Sequence, residues 1–337
     1  MDRIAIISEK VFVYWTPVII ALAVITALCI YASSYLLKGG KVTALFVSLP
    51  LCLVLGMVLG RMMHWYCRPG VYNSFADAMT DYSQGDFALV GAFAGCIITA
   101  GLLRLIRLSD NLPKMLDAMA VGACVAIPIG RLAPLFNSAG RGMMMPEGMG
   151  LPMAYPLINA VTGVPESRLA TFMLQCIITA VIAVLLLAYV AVCRFRKKKI
   201  KDGDTFLIFL TAYCCSQILC DSMRNDALVL RSNGFVSMVQ IVGAIGFAFC
   251  LVLFSIRSVK AKGLKYYHFL LWVGIAGMLG LAGGMEYFVQ NNGHRALLAY
   301  SVMGSALLVT VLCTLTMRFL GKAKAVEPVA EEAVENT

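Results

Sequence analysis

Long apolar runs without charge recur along the chain, each followed by a short polar segment. A helix needs about 20 apolar residues to cross roughly 30 Å of hydrocarbon. Runs near that length extend from Val11 to Leu37, Val42 to Gly60, Phe87 to Leu103, Leu169 to Cys193, Ser232 to Ile256, Tyr266 to Met285 and Ala296 to Met317. Two more are weaker: Thr205 to Cys220 is short, and Ala118 to Phe136 carries Pro128, Arg131 and Pro134. The pattern predicts an all-α polytopic integral membrane protein with about nine spans. The span holding two prolines is expected to break near its outer end. A broken helix survives in a membrane only where protein or a water-filled cavity satisfies the freed backbone groups, so residues 128–142 are a candidate site.

Composition agrees with a lipid-facing surface: 60% of residues are hydrophobic, 14% are charged and the mean hydropathy is +0.83. A water-soluble domain could not carry that balance. The net charge of +10 would suggest nucleic acid in a soluble protein, but the basic residues sit in short loops between apolar runs, so no nucleic-acid partner is expected. Lys and Arg mark cytoplasmic loops. With an outside amino terminus, the inside segments hold Lys38 and Lys41; Arg104, Arg107 and Lys114; Arg194, Arg196, Lys197, Lys198, Lys199 and Lys201; Arg257, Lys260, Lys262 and Lys265; and Arg318, Lys322 and Lys324. The outside segments mix Arg61, Arg68, Arg141, Arg168, Arg224, Arg231 and Arg295 with Asp77, Asp81, Asp86, Glu147, Glu166, Asp221 and Asp226. The carboxyl terminus is then cytoplasmic, and its acidic end from Val326 to Thr337 is expected to be disordered. No cleaved signal peptide is expected. The twelve cysteines have no metal-ligand spacing and lie mostly within apolar runs, which fits packing residues better than a disulfide framework or a metal site.

Charges near hydrocarbon are costly and are usually paired or functional. Arg61 ends the second run in GRMMHWYCRPGVYN, Arg131 sits in IGRLAPLFNSAGRG, and Arg224 follows the sixth span in CDSMRNDAL. A guanidinium presents a planar fork of donors suited to phosphate oxygens, so such arginines converging on one crevice would hold a phospholipid headgroup. The plainer reading is that each one snorkels to the interface or pairs with a carboxylate such as Asp221. Arg131, between two prolines of a broken helix, fits that plainer reading least.

These segments resemble the prolipoprotein diacylglyceryl transferase family, bacterial enzymes that move a diacylglyceryl group from phosphatidylglycerol onto a lipobox cysteine. The family's Gly-Arg-Leu/Ile-Gly signature, with its following aromatic, Asn and second Gly-Arg, is similar to Gly130, Arg131, Leu132, Phe136, Asn137, Gly140 and Arg141. The family's sixth-span ending looks like Asp221, Arg224, Asp226 and Ala227, its Ser-Met-x-Gln opening like Ser237, Met238 and Gln240, and its second-span ending like Gly60 and Arg61. The resemblance covers Val11 to Arg257. It implies a seven-span core over residues 1–258; the apolar runs that follow add two helices over 259–317, beyond the family core, and the charge pattern adds a cytoplasmic acidic tail over 318–337. It also implies a multi-pass protein of the bacterial plasma membrane whose partners are phosphatidylglycerol and a prolipoprotein lipobox peptide, with no cofactor. By resemblance, the phospholipid-binding residues are Arg131, Asn137, Arg141, Arg224, Arg61 and Gln240, and the catalytic ones include Arg131 and Arg224.

The chain departs from the family pattern at Val90, where the family has a histidine, at Pro134, at Ser138 and Ala139, and at Thr171. In the family reaction a thiol attacks a glycerol carbon and a phosphate leaves. Positive charge helps both the thiolate and the leaving group, and a base would add roughly 10²–10⁴-fold. With Val90 unable to serve, the candidate bases are His64, Asp86, Asp221 and several tyrosines. His64 follows Arg61 closely and has an unperturbed pKa near neutrality, but an interfacial histidine beside Trp65 and Tyr66 is the competing reading. Two functions stay open: the transferase, and a noncatalytic phospholipid- or lipopeptide-binding relative. A secondary transporter has less support, because the sequence shows no internal repeat.

Overall fold

The computed structural model describes residues 4–8, 11–68, 70–80, 87–109, 111–145, 150–158, 163–198, 200–230, 233–291 and 295–320. Asp81, Asp86, Glu147, Lys199, Arg231, Ser232, Lys322, Lys324 and the acidic tail, all named above, lie outside the described residues. The helices in chain order are α1 Trp15–Leu37, α2 Val42–Cys67, α3 Phe75–Thr80, α4 Leu89–Leu105, α5 Leu112–Gly130, α6 Thr171–Phe195, α7 Asp204–Ser222, α8 Met238–Lys262, α9 Tyr266–Asn291 and α10 Ala296–Leu320. A 3₁₀ turn, Ala133–Phe136, follows α5. Three antiparallel hairpins fill the connections: β1 Ile4–Ser8 with β2 Val11–Tyr14, β3 Ala154–Ile158 with β4 Pro165–Leu169, and β5 Val229–Leu230 with β6 Asn233–Ser237.

Among the described residues, eight helices are long and apolar enough to cross a membrane, and the remaining expected span is the 17-residue apolar α4. This is a multi-pass membrane protein. Several boundaries differ from the sequence reading: α5 opens at Leu112 rather than Ala118, α8 at Met238 rather than Ser232, α9 runs on to Asn291, and the first two spans differ as follows. The first span opens at Trp15, because Val11–Tyr14 pairs with the preceding strand. The second continues past Gly60 to Cys67, with Arg61 and His64 both buried inside it. That helix does not stop at its first charge because the following segment supplies partners: Arg61 Nε donates to the Ala78 carbonyl at 2.9 Å and Nη1 to the Tyr72 hydroxyl at 3.2 Å.

The chain divides into two compact units, residues 1–247 and 248–337. In the first, helices approach through small residues, as expected where lipid offers no hydrophobic drive for association. A Cβ added at Gly95 would lie 2.6 Å from the Gly56 nitrogen, and one at Gly91 would lie 2.2 Å from the Leu59 carbonyl oxygen, so α2 and α4 meet backbone to backbone. Helix α5 packs against α1, α4, α6 and α7. Near its start Asp117, fully buried, accepts from Lys38 Nζ at 2.9 Å and from the backbone N–H groups of Gly203 at 3.0 Å and Phe206 at 2.8 Å. One carboxylate thereby ties α1, α5 and the start of α7. In the second unit α9 and α10 pack together, buried His268 meets the Ser258 hydroxyl at 2.9 Å through Nε2, and Trp272 Nε1 donates to Ser255 at 3.0 Å.

Candidate functional site

Helix α5 breaks where its prolines dictate. Pro128, inside α5, has no N–H to give to the preceding turn, and its own carbonyl accepts from the Cys176 thiol on α6 at 3.3 Å. The last helical bond runs from Arg131 N–H to the Ile127 carbonyl at 2.9 Å, which makes Arg131 the C-cap. A cation there complements the negative end of the helix dipole. Arg131 Nη2 donates to Gln217 Oε1 on α7 at 3.0 Å, while among the described residues its buried Nε has no hydrogen-bond partner. Its charge also acts on Asp221 and on Cys176. The guanidinium therefore stands where α5, α6 and α7 meet.

Arg224 lies just past α7 and is already engaged. Nε and Nη2 donate to the two oxygens of Asp226 at 2.9 and 2.8 Å, and Nη1 lies 3.6 Å from Asp221. Burial opposes its charge, but the bonds and charge of Asp226 and the charge of Asp221 outweigh that, so Arg224 is held above its ordinary pKa. Burial likewise pushes Asp226 up, and Arg224 together with the Gly140 N–H more than reverses it, leaving this carboxyl below its ordinary value. The Gly140 N–H reaches Asp226 Oδ2 at 2.9 Å. Gly140 has φ +65° and its Cβ would meet the Phe172 Cβ at 2.9 Å, so only glycine suits both the conformation and the space.

Arg141 is buried between aromatic rings, with its guanidinium carbon 4.4 Å from the Tyr155 centroid and 4.3 Å from that of Phe172. Nη2 donates to the carbonyls of Pro134 at 2.8 Å and Asn137 at 3.0 Å, which holds the turn after the broken helix. Among the described residues, its Nε and Nη1 have no hydrogen-bond partner. Burial pulls its pKa down, against the pull of Tyr155 and Asp226. Asn137 closes the same turn by accepting the Ala139 N–H at 2.9 Å.

Arg131, Asn137, Arg141 and Arg224 thus share one end of the bundle. Gln240 sits at the start of α8 in a reciprocal cap: its Oε1 accepts the Ser237 N–H at 3.1 Å, and its own N–H donates to Ser237 Oγ at 3.1 Å. Arg61 and His64 form a second cluster around Tyr72, with His64 Nδ1 3.5 Å from the Tyr72 hydroxyl. Arg68 joins the two regions by donating from Nη2 to the Asp226 carbonyl at 2.9 Å. Val90 lies beside the α2 turn that leads into Arg61, since the Ala88 N–H donates to the Gly60 carbonyl at 3.1 Å and Gly91 packs on Leu59 and Gly60. Gln217, the direct partner of Arg131, was not anticipated from sequence. Its signal was its spacing, because Tyr213, Gln217 and Asp221 form a polar i, i+4, i+8 stripe on an apolar helix.

Comparison with known proteins gives a match to the family model described as prolipoprotein diacylglyceryl transferase over residues 3–284, which runs past residue 258 into α9. Relatives named phosphatidylglycerol–prolipoprotein diacylglyceryl transferase include one from Mycobacterium leprae, 26% identical over 67% of this chain and 73% of its own length. Another, from Listeria innocua, is 24% identical over 73% of this chain and 88% of its own. A third, from Clostridioides difficile, is 22% identical over 73% and 92%.

Proposed function

The chain belongs to the prolipoprotein diacylglyceryl transferase family, and on that premise we propose that it transfers a diacylglyceryl group from phosphatidylglycerol to the lipobox cysteine of a prolipoprotein. The observation that carries the reading is Arg131: a half-buried guanidinium at the end of a broken membrane helix, with Nη2 on Gln217 and a buried Nε without a hydrogen-bond partner among the described residues. A lipid phosphate diester offers oxygens that fit such an edge.

In the reaction the substrate thiol loses its proton and the sulfur attacks the glycerol carbon that carries the phosphate. The new S–C bond forms as the C–O bond breaks, and glycerol phosphate leaves with the electron pair. Arg131 stabilises the charge on the departing phosphate. Arg224 is committed to Asp226 and Asp221, so it shapes the site and adds to the field, while Arg141 and Asn137 hold the turn beside it. His64 is the proposed base. Its support is position: it extends from α2 one turn beyond the stretch against which Val90 lies, the position where the family carries its histidine. Arg61 shares Tyr72 with His64 and orients that cluster.

Incubating the purified protein with phosphatidylglycerol and a lipobox peptide is expected to yield lipidated peptide and glycerol phosphate. With His64 as base, a His64→Ala variant should turn over more slowly and its rate should rise only toward the thiol pKa of ~8.5. Bound phospholipid without product at any pH would favour the noncatalytic alternative. We place the protein in the bacterial plasma membrane with the amino terminus outside, so the Arg131 end faces outward and the 194–201 loop and carboxyl terminus face the cytoplasm. A cysteine placed at Lys198 should resist a membrane-impermeant label in intact cells, and labelling from outside would reverse the orientation.

A further inference from the structure

One helix in the same region carries polar groups that the proposed chemistry does not use. Along α6 the buried positions Thr171, Gln175, Thr179, Ala183 and Leu186 form one stripe. Ala183 and Leu186 pack in a cluster with Phe209 and Tyr213 of α7, and with Ala120, Cys124 and Ile127 of α5. The chain direction is opposite in α6 and α7, so moving two turns along the stripe to Gln175 brings it level with Gln217 and Cys220. Thr171, at the top, shares with the Met223 carbonyl the space around Gly142: a Cβ there would lie 2.7 Å from Thr171 Oγ1 and 2.5 Å from that carbonyl oxygen. The neighbouring residue Cys176 is the one bonded to Pro128 and within the field of Arg131.

Gln175 is 1% exposed, and among the described residues neither its Nε2 nor its Oε1 has a hydrogen-bond partner; the same holds for Thr171 Oγ1, which is fully buried. Leaving a buried amide unpaired is destabilising, so an apolar residue would serve the packing of this stripe better. The amide offers two N–H donors and an acceptor, and a hydroxyl, which both donates and accepts, satisfies it on both sides. Arg131 and Arg141 place positive charge around this interior, which disfavours a cationic headgroup.

We propose that Gln175, assisted by Thr171, is a specificity-determining residue that binds the headgroup hydroxyls of a polyol phospholipid whose phosphate is held by Arg131; this rests on the transferase reading above. Arg131 reads the charge that all anionic phospholipids share, and Gln175 reads the hydroxyls that phosphatidylglycerol has and phosphatidylpropanol lacks. A site that hydrogen-bonds a substrate hydroxyl discriminates strongly against the analogue without it.

The test compares phosphatidylglycerol with phosphatidylpropanol, as diacylglyceryl donors and in direct binding to the purified full chain. The wild type should favour phosphatidylglycerol by about tenfold or more, and Gln175→Leu should bring the ratio close to one. The melting temperature of Gln175→Leu in detergent without added phospholipid should be equal to or above that of the wild type, since an unpaired buried amide has been removed. Gln175→Asn, which keeps the amide, gives a second folded variant, and its ratio should fall between the two. A wild type that does not discriminate, or a Gln175→Leu variant that discriminates as well as the wild type, would overturn the proposal. Should no donor support transfer by the wild type, the transferase reading fails and the binding ratios alone decide this one by the same criterion.

Discussion

Each end of α5 carries a charge, fully buried at Asp117 and half-buried at Arg131, and the two are treated in opposite ways. At Asp117 every obvious partner is present: an ammonium from α1 and two N–H groups from the first turn of α7, where the helix dipole also favours an anion. At Arg131, about 20 Å away along the helix, the guanidinium bonds Gln217 and Tyr213 but Nε has no hydrogen-bond partner among the described residues, while Arg141, Thr171 and Gln175 nearby also keep unpaired polar atoms. A buried charge that is fully satisfied stabilises the fold once made. A buried cluster that is left incomplete costs stability, and its retention points to a guest that completes it. The difference between the two charged groups themselves, Asp117 fully bonded and Arg131 with an unbonded Nε among the described residues, distinguishes a structural fastening from a candidate binding group.

The contrast can be broken most forcefully at the satisfied end. Asp117→Ala strands the Lys38 ammonium and the two α7 donors, and removing one partner of a buried pair costs about 3–5 kcal/mol. Thermal or denaturant unfolding in detergent should show that loss, while the molecules that remain folded still bind phosphatidylglycerol. Arg131→Lys should do the reverse: a melting temperature near that of the wild type, with headgroup affinity about tenfold weaker, since a point charge replaces a planar fork. Equal destabilisation by the two changes would erase the distinction between the ends.

Gly140→Ala is the next smaller effect. It forces a side chain into a left-handed conformation, at about 1–2 kcal/mol, and against Phe172, so it should loosen the turn that carries Arg141 and shift unfolding modestly. The smallest effect is in pH. Asp226 is held below its ordinary value by Arg224 and Gly140, so the stability it lends is complete above the usual carboxylate pKa of ~3.9 and is lost only as pH falls through its lower folded value. Melting temperature followed from pH 7 downward should show the wild type losing that contribution below pH ~4, and Asp226→Asn lacking it throughout.

Much of this architecture was legible in the sequence because membranes impose it. Charge-free length identified the spans, and Pro128 with Pro134 announced the break that positions Arg131. Asp117 was less visible: its charge marked the edge of an apolar run, although it lies inside α5 and is fully buried. The β3–β4 hairpin was hidden too, since its strands are five residues each and carry no clear alternation. The arginines of the site were found by their rarity and their motifs, but sequence could not tell that Arg224 is paired with Asp226 while Arg131 meets only neutral side chains and, among the described residues, leaves Nε without a hydrogen bond. Gln175 gave no signal to a reading based on charge; only the polar spacing of Thr171, Gln175 and Thr179 on an otherwise apolar helix distinguishes it.

The most direct measurement is transfer itself, with phosphatidylglycerol and a lipobox peptide given to the wild type and to Arg131→Ala at equal folded concentration. Removing a donor that stabilises developing charge typically lowers turnover by about 10²–10³-fold. The account predicts lipidated peptide and glycerol phosphate in equal amounts from the wild type, and a loss of that size in Arg131→Ala with its fold intact. Equal turnover by the two proteins would contradict it.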